Sequence, residues 1–164
     1  MTAISSWVSR EKRSCPMSKV EIRNLCKNFA QVRALDNVSL NIEAGEIFGL
    51  AGADGSGRTT MFRILATLSE SDSGSVTVNG NDIVTRRADV RKITGYVPGT
   101  FSLYHDFTVR ENVEFFASLN NSSIDECYEY IEPIYRKLLP FSDRMAEKLS
   151  GGMRQKLSLC CALV

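Results

Sequence analysis

The sequence predicts an α/β fold in which most strands lie within residues 20–97 and most helices follow them. Short alternating or continuous apolar segments, typical of strands, occur in the first part. A glycine-rich turn joins one of these segments directly to an amphipathic helix, and apolar residues recur at helical spacing from residue 109 onward. This mixture of strands and helices is typical of domains in which helices pack on a sheet.

The predicted strands differ in how their apolar residues are arranged. Two segments before residue 43 alternate between apolar and polar residues, the pattern of a strand with one buried face. Ile47–Ala51 is a continuous apolar run bounded by glycines, as expected for a strand buried on both faces. Asn79-Gly80 predicts a hairpin turn. The predicted strands are Val20–Leu25, Val38–Ile42, Ile47–Ala51, Ser75–Val78 and Ile93–Val97.

Helical periodicity predicts four helices. Two of them are preceded by Thr108 and Ser123, residue types that commonly cap a helix N-terminus. The last helix starts at a serine followed by two glycines. The predicted helices are Thr59–Leu68, Val109–Leu119, Ile124–Leu139 and Ser150–Val164.

Composition limits the classes of partner. With 20 basic and 19 acidic residues among 164, the net charge is +1, so no overall field favours nucleic acid or an anionic membrane. No apolar segment reaches the ~18 residues of a membrane span. We expect residues 1–18 to form a flexible extension. The cysteines lack metal-ligand spacing and are expected to be packing or loop residues: Cys15, Cys26, Cys127, Cys160 and Cys161.

A glycine-rich loop between the third predicted strand and the first predicted helix carries the clearest chemical signal. Residues 52–59 read GADGSGRT, which matches GxxxxGK[ST] except that arginine replaces lysine. Gly55 and Gly57 allow the backbone to turn its N–H groups toward an anion, and the following helix presents the positive end of its dipole. The pattern predicts a phosphate-binding loop. A plain glycine-rich turn, with threonines that only cap the helix, is the alternative.

Individual residues of this loop have different predicted roles. Thr59 is placed to coordinate Mg²⁺ through its hydroxyl, and Thr60 is placed to reach a phosphate oxygen. Arg58 either neutralises the β- and γ-phosphates from a shifted position, or weakens nucleotide binding and turnover. We expect weakened but retained binding. The nucleotide-binding residues predicted in the loop are Gly52, Asp54, Gly55, Ser56, Gly57, Arg58, Thr59 and Thr60.

A second motif, LSGGMRQK at residues 149–156, opens the last predicted helix. Alone it is an ordinary helix start whose serine hydroxyl and glycine amides face an anion. Together the two motifs resemble those of the ABC transporter ATPase family, whose signature is LSGGQ or a close variant. The resemblance implies that this segment contacts the γ-phosphate of ATP held by the opposite subunit of a dimer. The signature residues are Leu149, Ser150, Gly151 and Gly152.

The resemblance covers roughly residues 19–164 and assigns two further segments. Phe29 occupies the position of the aromatic that stacks on adenine, with a core aromatic as the alternative. Residues 95–118 look like the Q-loop segment of exporter ATPases, but Gly99 stands where glutamine is usual. That glutamine helps to hold Mg²⁺ and the attacking water. The segment Gly99–Phe107 is implied to meet a transmembrane permease, although its aromatic residues could equally be packing residues.

The resemblance implies a P-loop NTPase (ABC ATPase) core with N-terminal antiparallel β strands, a helical subdomain at about residues 100–150, and truncation after the signature helix. Residues 19–164 are then a partial ATP-binding domain similar to those of ABC-2 type exporters. The implied ligands are ATP and Mg²⁺. The implied partners are a second ATP-binding domain and a permease subunit. The implied location is cytoplasmic and peripheral, on the inner face of the cell membrane, and no nucleic acid partner is expected.

The expected function is to bind ATP and, in the complete domain, to hydrolyse it to power export by an ABC transporter. In the family an Asp-Glu pair beyond the signature helix and a later histidine serve hydrolysis, so we expect no catalytic residue in this chain. His105 precedes the signature and is expected to be a solvated loop residue. Two alternatives stay open: a non-hydrolysing truncated remnant that only binds nucleotide, and a soluble ABC-type ATPase that acts on ribosomes or DNA.

Overall fold

The computed structural model describes residues 20–164. These residues fall into two compact units, of which the first ends at Thr94 and the second runs from Gly95 to Val164. The predicted extension, residues 1–18, lies outside the described residues. Among residues 20–164, no helix combines the length and apolar character needed to cross a bilayer.

The first unit contains a four-stranded antiparallel sheet in the order β2-β1-β3-β4. Ile22 of β1 lies opposite Leu40 of β2 and Val76 of β3, so apolar side chains line up across the sheet. Asn79 and Gly80 both have positive φ between β3 and β4, which confirms the predicted hairpin turn. The elements are β1 Val20–Phe29, β2 Val32–Ile42, α1 Arg58–Leu65, β3 Ser73–Val78, β4 Asn81–Asp82 and α2 Arg87–Lys92.

One face of this sheet packs against α1 and α2. Met61 and Ile64 of α1 and Val90 of α2 are buried with Ile22 and Leu25 of β1 in a single apolar cluster. Burial of each such side chain stabilises the unit by roughly 1.5–3 kcal/mol. This packing fixes the start of α1, and with it the glycine-rich loop that precedes the helix.

The second unit is helical. Thr108 caps α3 with reciprocal bonds: its hydroxyl accepts from the Glu111 amide at 3.2 Å, and its own amide donates to the Glu111 carboxylate at 2.7 Å. Hydrogen bonding from Thr108 holds the pKa of Glu111 below its ordinary value. Ser123 and Glu126 repeat this arrangement at α4. The helices are α3 Val109–Leu119, α4 Ile124–Tyr135, α5 Gly151–Leu163 and two 3-10 turns, Leu139–Phe141 and Ala146–Lys148.

Two strand predictions are wrong. Within residues 20–164, neither Ile47–Ala51 nor Ile93–Val97 is paired as a strand. Ile47 is 67% exposed and Ile93 is 52% exposed, whereas Leu50 packs beside the apolar cluster of the first unit. An apolar run becomes a doubly buried strand only when neighbouring strands supply hydrogen-bond partners for its backbone.

Two helix ends also differ from their predicted positions. Helix α1 stops at Leu65 rather than residue 68, because Thr67 adopts a left-handed backbone with φ 58°. Helix α4 stops at Tyr135 rather than residue 139. The chain then continues into a 3-10 turn at Leu139–Phe141, which includes Pro140.

Two cysteines belong to the core of the second unit. Cys160 and Cys161 of α5 are buried among apolar side chains, which confirms that they are packing residues. Burial raises the pKa of Cys160 to about 11 and raises that of Cys161 further. Cys26 and Cys127 are free thiols that are only partly buried.

We therefore expect iodoacetamide at about pH 8 to modify Cys26 and Cys127 in the folded chain well before Cys160 and Cys161. The rate of alkylation depends both on the fraction of each thiol that is ionised to thiolate and on its exposure to solvent. Peptide mass mapping of the labelled chain measures each site. Labelling in denaturant is the control and should modify all four. Native modification of Cys160 as fast as Cys127 would contradict the buried position of α5.

Candidate nucleotide-binding site

The backbone of the glycine-rich loop turns where the sequence predicts. Gly55 and Gly57 have φ of 78° and 88°, a region that other residues rarely adopt. Between them the amide of Ser56 donates to the carbonyl of Ala53 at 3.1 Å. Gly57 is the N-cap of α1, and no side chain caps this helix. The first-turn amides of α1 are therefore available to an anion, in contrast to those of α3 and α4.

Gly57 is also fixed by close packing against the sheet. A Cβ atom at this position would lie 2.1 Å from the carbonyl oxygen of Ala34 in β2, so only glycine fits without moving backbone. Around Gly55 nothing lies within 4 Å of such an atom. The end of the loop is therefore held against β2, whereas its tip is open.

Ser56 contributes a hydroxyl that has no partner among residues 20–164. Its Oγ is buried and without a hydrogen bond among the described residues. A Cβ at Gly52 would lie 2.6 Å from this Oγ, so the glycine leaves the space that the serine occupies. A buried hydroxyl without a partner is unfavourable unless a ligand supplies one. Thr59 is exposed and Thr60 is partly exposed on the first turn of α1.

Arg58 folds back over the loop that precedes it. Its Nη2 donates to the carboxylate of Asp54 at 3.2 Å and lies 3.4 Å from the carbonyl of Ala53. The Asp54 side chain is fully exposed, so this ion pair adds little stability. The pair places a carboxylate at the open tip of the loop, and any phosphate there competes with it for the guanidinium.

Phe29 ends β1 and is 49% exposed. The ammonium of Lys27 lies 5.4 Å from its ring centroid. Phe29 pairs with Val32 at the closed end of the β1–β2 hairpin. Exposure at a hairpin end is incompatible with the alternative that this residue is a core aromatic.

The signature segment lies at the start of α5 in the second unit. Leu149 is buried in the helical core, whereas Ser150, Gly151 and Gly152 are exposed. The Ser150 hydroxyl caps α5 by accepting from the amide of Met153 at 3.4 Å. A cavity of about 170 Å³ adjoins this helix start, lined by Pro98, Phe101, Gly151, Arg154, Gln155 and Ser158.

Arg154 holds the signature helix to the residues before it. Its Nε donates to the carbonyl of Leu149 at 3.0 Å, and its guanidinium carbon lies 5.7 Å from the ring centroid of Phe101. The periodicity of α5 gave no signal for this role, because an arginine in an amphipathic helix is usually a solvated side chain.

The segment Gly99–Phe107 is organised by a residue that the sequence analysis missed. Asn112 of α3 is fully buried; its Oδ1 accepts from the amide of Tyr104 at 3.1 Å, and its Nδ2 donates to the carbonyl of Tyr104 at 3.0 Å. Tyr104 stacks on Phe107 at 4.9 Å, remains 48% exposed, and contacts the ring of Phe115 edge-on at 5.0 Å. The sequence did carry a signal for this role, because Asn112 is a polar residue at a position that the helical periodicity of α3 places in the core.

Gly99 and His105 both lie in the second unit. Gly99 is exposed, and a Cβ atom added there would meet nothing within 4 Å. His105 is exposed, as expected. In the described part of the chain, no group of three or more His, Cys, Asp or Glu side chains could hold a metal ion. The loop residues lie in the first unit and the signature residues in the second.

Comparison with known proteins gives consistent matches. A family model described as "ABC transporter" matches residues 35–164. The probable multidrug ABC transporter ATP-binding protein YbhF of Escherichia coli (strain K12) is 41% identical over 133 residues, covering 80% of this chain and 23% of that protein. The sulfate/thiosulfate import ATP-binding protein CysA of Pectobacterium atrosepticum is 39% identical over 152 residues, covering 88% of this chain and 46% of that protein.

A solved structure shares the fold. The dimeric structure of MJ0796, described as a bacterial ABC transporter cassette, has a TM-score of 0.73 at 27% identity and covers 88% of this chain and 68% of that chain. The chain thus spans less than half the length of these two curated relatives. The predicted α/β class with a P-loop NTPase core of the ABC ATPase kind is confirmed.

The contact between Gly57 and Ala34 generates a test of the loop. Gly57→Ala should lower the free energy of unfolding by about 2–5 kcal/mol, because left-handed strain of about 1–2 adds to a steric clash of about 1–3. Gly55→Ala is the matched control, with the same strain and no clash, and should lose only about 1–2 kcal/mol. Urea unfolding measures both. Equal losses would contradict the packing of Gly57 on β2.

The buried Asn112 generates a second test. Asn112→Ala should lower the free energy of unfolding by about 2–4 kcal/mol, because it leaves backbone groups of Tyr104 without partners. Asn120→Ala removes one exposed bond to the Val164 carbonyl and should cost about 0.5–1 kcal/mol. Urea unfolding compares the two. Similar losses would show that Asn112 does not hold the segment.

Proposed function

The chain belongs to the ABC transporter family, and from this premise we propose that it binds ATP as part of a subunit that powers export by an ABC transporter. In the complete domain this subunit hydrolyses ATP. The proposal places the chain in the cytoplasm, peripheral on the inner face of the cell membrane. The observation that carries it is the loop at residues 52–59, in which two left-handed glycines lead into an uncapped helix.

The loop suits a polyphosphate in three respects. The start of α1 offers backbone N–H groups and the positive end of the helix dipole. The buried hydroxyl of Ser56 lacks a partner that a phosphate oxygen would provide. Arg58 supplies a cation at the tip of the loop, once its contact with Asp54 is exchanged for a phosphate. A plain turn would explain the glycines but not the buried Ser56 hydroxyl that lacks a partner.

The proposed roles of the remaining residues follow from where they lie. Gly52 and Gly55 let the backbone approach the phosphates, and Thr60 donates a hydrogen bond to a phosphate oxygen. The hydroxyl of Thr59, exposed on the same turn, would hold Mg²⁺. When bound, Mg²⁺ neutralises charge on the phosphates. Phe29 offers an exposed ring for the adenine base.

A second copy or a related ATP-binding domain completes the proposed site. Ser150, Gly151 and Gly152 are exposed at the start of α5, with Leu149 anchoring them in the core. Their exposure suits contact in trans with the γ-phosphate of a nucleotide held by another subunit. MJ0796, which resembles this chain, has been solved as a dimer.

The permease contact is proposed for Gly99–Phe107. Tyr104 of this segment exposes aromatic surface, and Asn112 holds the backbone beneath it. Aromatic side chains held by a rigid backbone are common at the centres of protein interfaces. The proposal of export rests on the likeness of residues 95–118 to exporter segments, because the relatives include a protein named for import as well as one named as a probable multidrug transporter protein.

The Arg58–Asp54 pair favours one alternative, a chain that binds nucleotide and does not turn it over. A carboxylate beside the phosphates and a guanidinium in place of an ammonium both weaken the cradle. Steady-state phosphate release by the natural full-length protein distinguishes this alternative from a transport ATPase. The ribosome- or DNA-acting alternative predicts activity stimulated by nucleic acid rather than by a permease.

We expect MgATP to bind the 164-residue chain and, at about 100 times its Kd, to raise the free energy of unfolding by about 2.7 kcal/mol. Arg58→Lys should tighten binding about threefold or more, because a compact ammonium fits a phosphate nest better than a guanidinium held by Asp54. Calorimetric titration and thermal unfolding measure these effects.

Arg63→Lys is the matched control, since Arg63 is exposed at the far end of α1 and should leave MgATP affinity unchanged. Absence of any MgATP binding by a chain shown to be folded by circular dichroism would refute the proposed function.

A further inference from the structure

We propose that Asp72 and Lys27 are positioning residues that orient Phe29 for stacking on the base of the bound nucleotide. This inference rests on the proposed function and assigns base recognition to a group of polar contacts at one end of the sheet. Asp72 lies just before β3, and Lys27 and Phe29 lie two residues apart at the end of β1.

Asp72 fixes the end of β1 through several bonds. Its Oδ1 accepts from the Lys27 ammonium at 2.7 Å, and its Oδ2 accepts from the backbone amide of Asn28 at 2.6 Å and from the Asn28 side chain at 3.1 Å. Its own amide donates to the carbonyl of Cys26 at 3.0 Å. Three consecutive residues of β1 are thus tied to one aspartate immediately before the exposed phenylalanine.

Lys27 links this aspartate to the ring. Its side chain is only 16% exposed, and its ammonium lies 2.7 Å from Asp72 and 5.4 Å from the centroid of Phe29. An ammonium over a ring face is attracted by the electrons of that face and limits rotation of the ring. Lys27 therefore occupies one face of Phe29 and leaves the opposite face for a second planar group.

The hairpin brings this ring toward the phosphate loop. Phe29 pairs with Val32, and Ala34, two residues further along β2, is the residue whose carbonyl abuts Gly57. Two residues of a strand span about 7 Å. The ribose of a nucleotide bridges a separation of this order, so one nucleotide is able to place its base at Phe29 and its phosphates at the loop.

A purely structural role for Asp72 is the competing explanation, because a carboxylate that accepts three hydrogen bonds can also hold the end of a sheet together. If Asp72 is only structural, its loss should destabilise the fold and weaken the binding of every ligand equally. If Asp72 positions Phe29, its loss should lower the affinity only for ligands that have a base. The two explanations are separated by comparing MgATP with magnesium tripolyphosphate, which has the phosphates and no base.

Calorimetric titration of the 164-residue chain with MgATP and with magnesium tripolyphosphate provides the test. Asp72→Asn and Lys27→Met should each weaken MgATP binding about three- to tenfold, as Phe29→Ala should, the size expected for an aromatic stacking contact. Tripolyphosphate affinity should stay unchanged in all three. Asp82→Asn is the matched control, because Asp82 also accepts several bonds, from Val84 and Thr85, away from Phe29.

Each outcome has a defined meaning. Selective loss of MgATP affinity in the Asp72 and Lys27 variants, with the Asp82 variant unaffected, supports the inference. Unchanged MgATP affinity, or an equal loss for both ligands, overturns it while leaving the proposed function intact. Failure of the unaltered folded chain to bind either ligand overturns the inference together with the proposed function.

Discussion

The contact between Gly57 and the carbonyl of Ala34 is the constraint on which the candidate site depends. It holds the end of the phosphate loop against β2, and the left-handed turn at Gly57 directs the chain straight into α1. Met61 and Ile64 then bury the helix on the sheet, so the uncapped start of α1 stays at the open side of the loop. Sheet packing thus determines where backbone donors are left for a ligand.

The way in which each helix begins distinguishes structural from ligand-binding ends. At α3 and α4 a hydroxyl and a glutamate satisfy the first amides, so these ends are complete without a ligand. At α1 and at the six-residue α2 no side chain does so, and at α5 Ser150 makes one bond before two exposed glycines. The lack of a cap does not by itself mark a site; at α1 it occurs together with two left-handed glycines and the buried Ser56 hydroxyl that lacks a partner, and this combination supports the proposed phosphate site.

Charged side chains modify this site in opposite ways. Arg58 and Asp54 pair with each other across the loop, which lowers the net positive charge that a phosphate meets. Near the closed end of the β1–β2 hairpin, Lys27 and Asp72 form a less exposed pair beside Phe29. Hydrogen bonding from Lys27 and the Asn28 amide holds the pKa of Asp72 below its ordinary value, so it remains ionised at neutral pH. In the proposed site, the first pair competes with the phosphates, and the second supports the ring proposed to stack on the base.

The sequence by itself determined the α/β class, the hairpin at Asn79-Gly80, the caps at Thr108 and Ser123, and the glycine-rich loop, because each depends on residues close together in the chain. Only the tertiary structure decided that Ile47–Ala51 is unpaired and that Asp72 reaches Lys27. Strand pairing and contacts over 45 residues depend on which partners arrive in space, and local pattern carries no information about them.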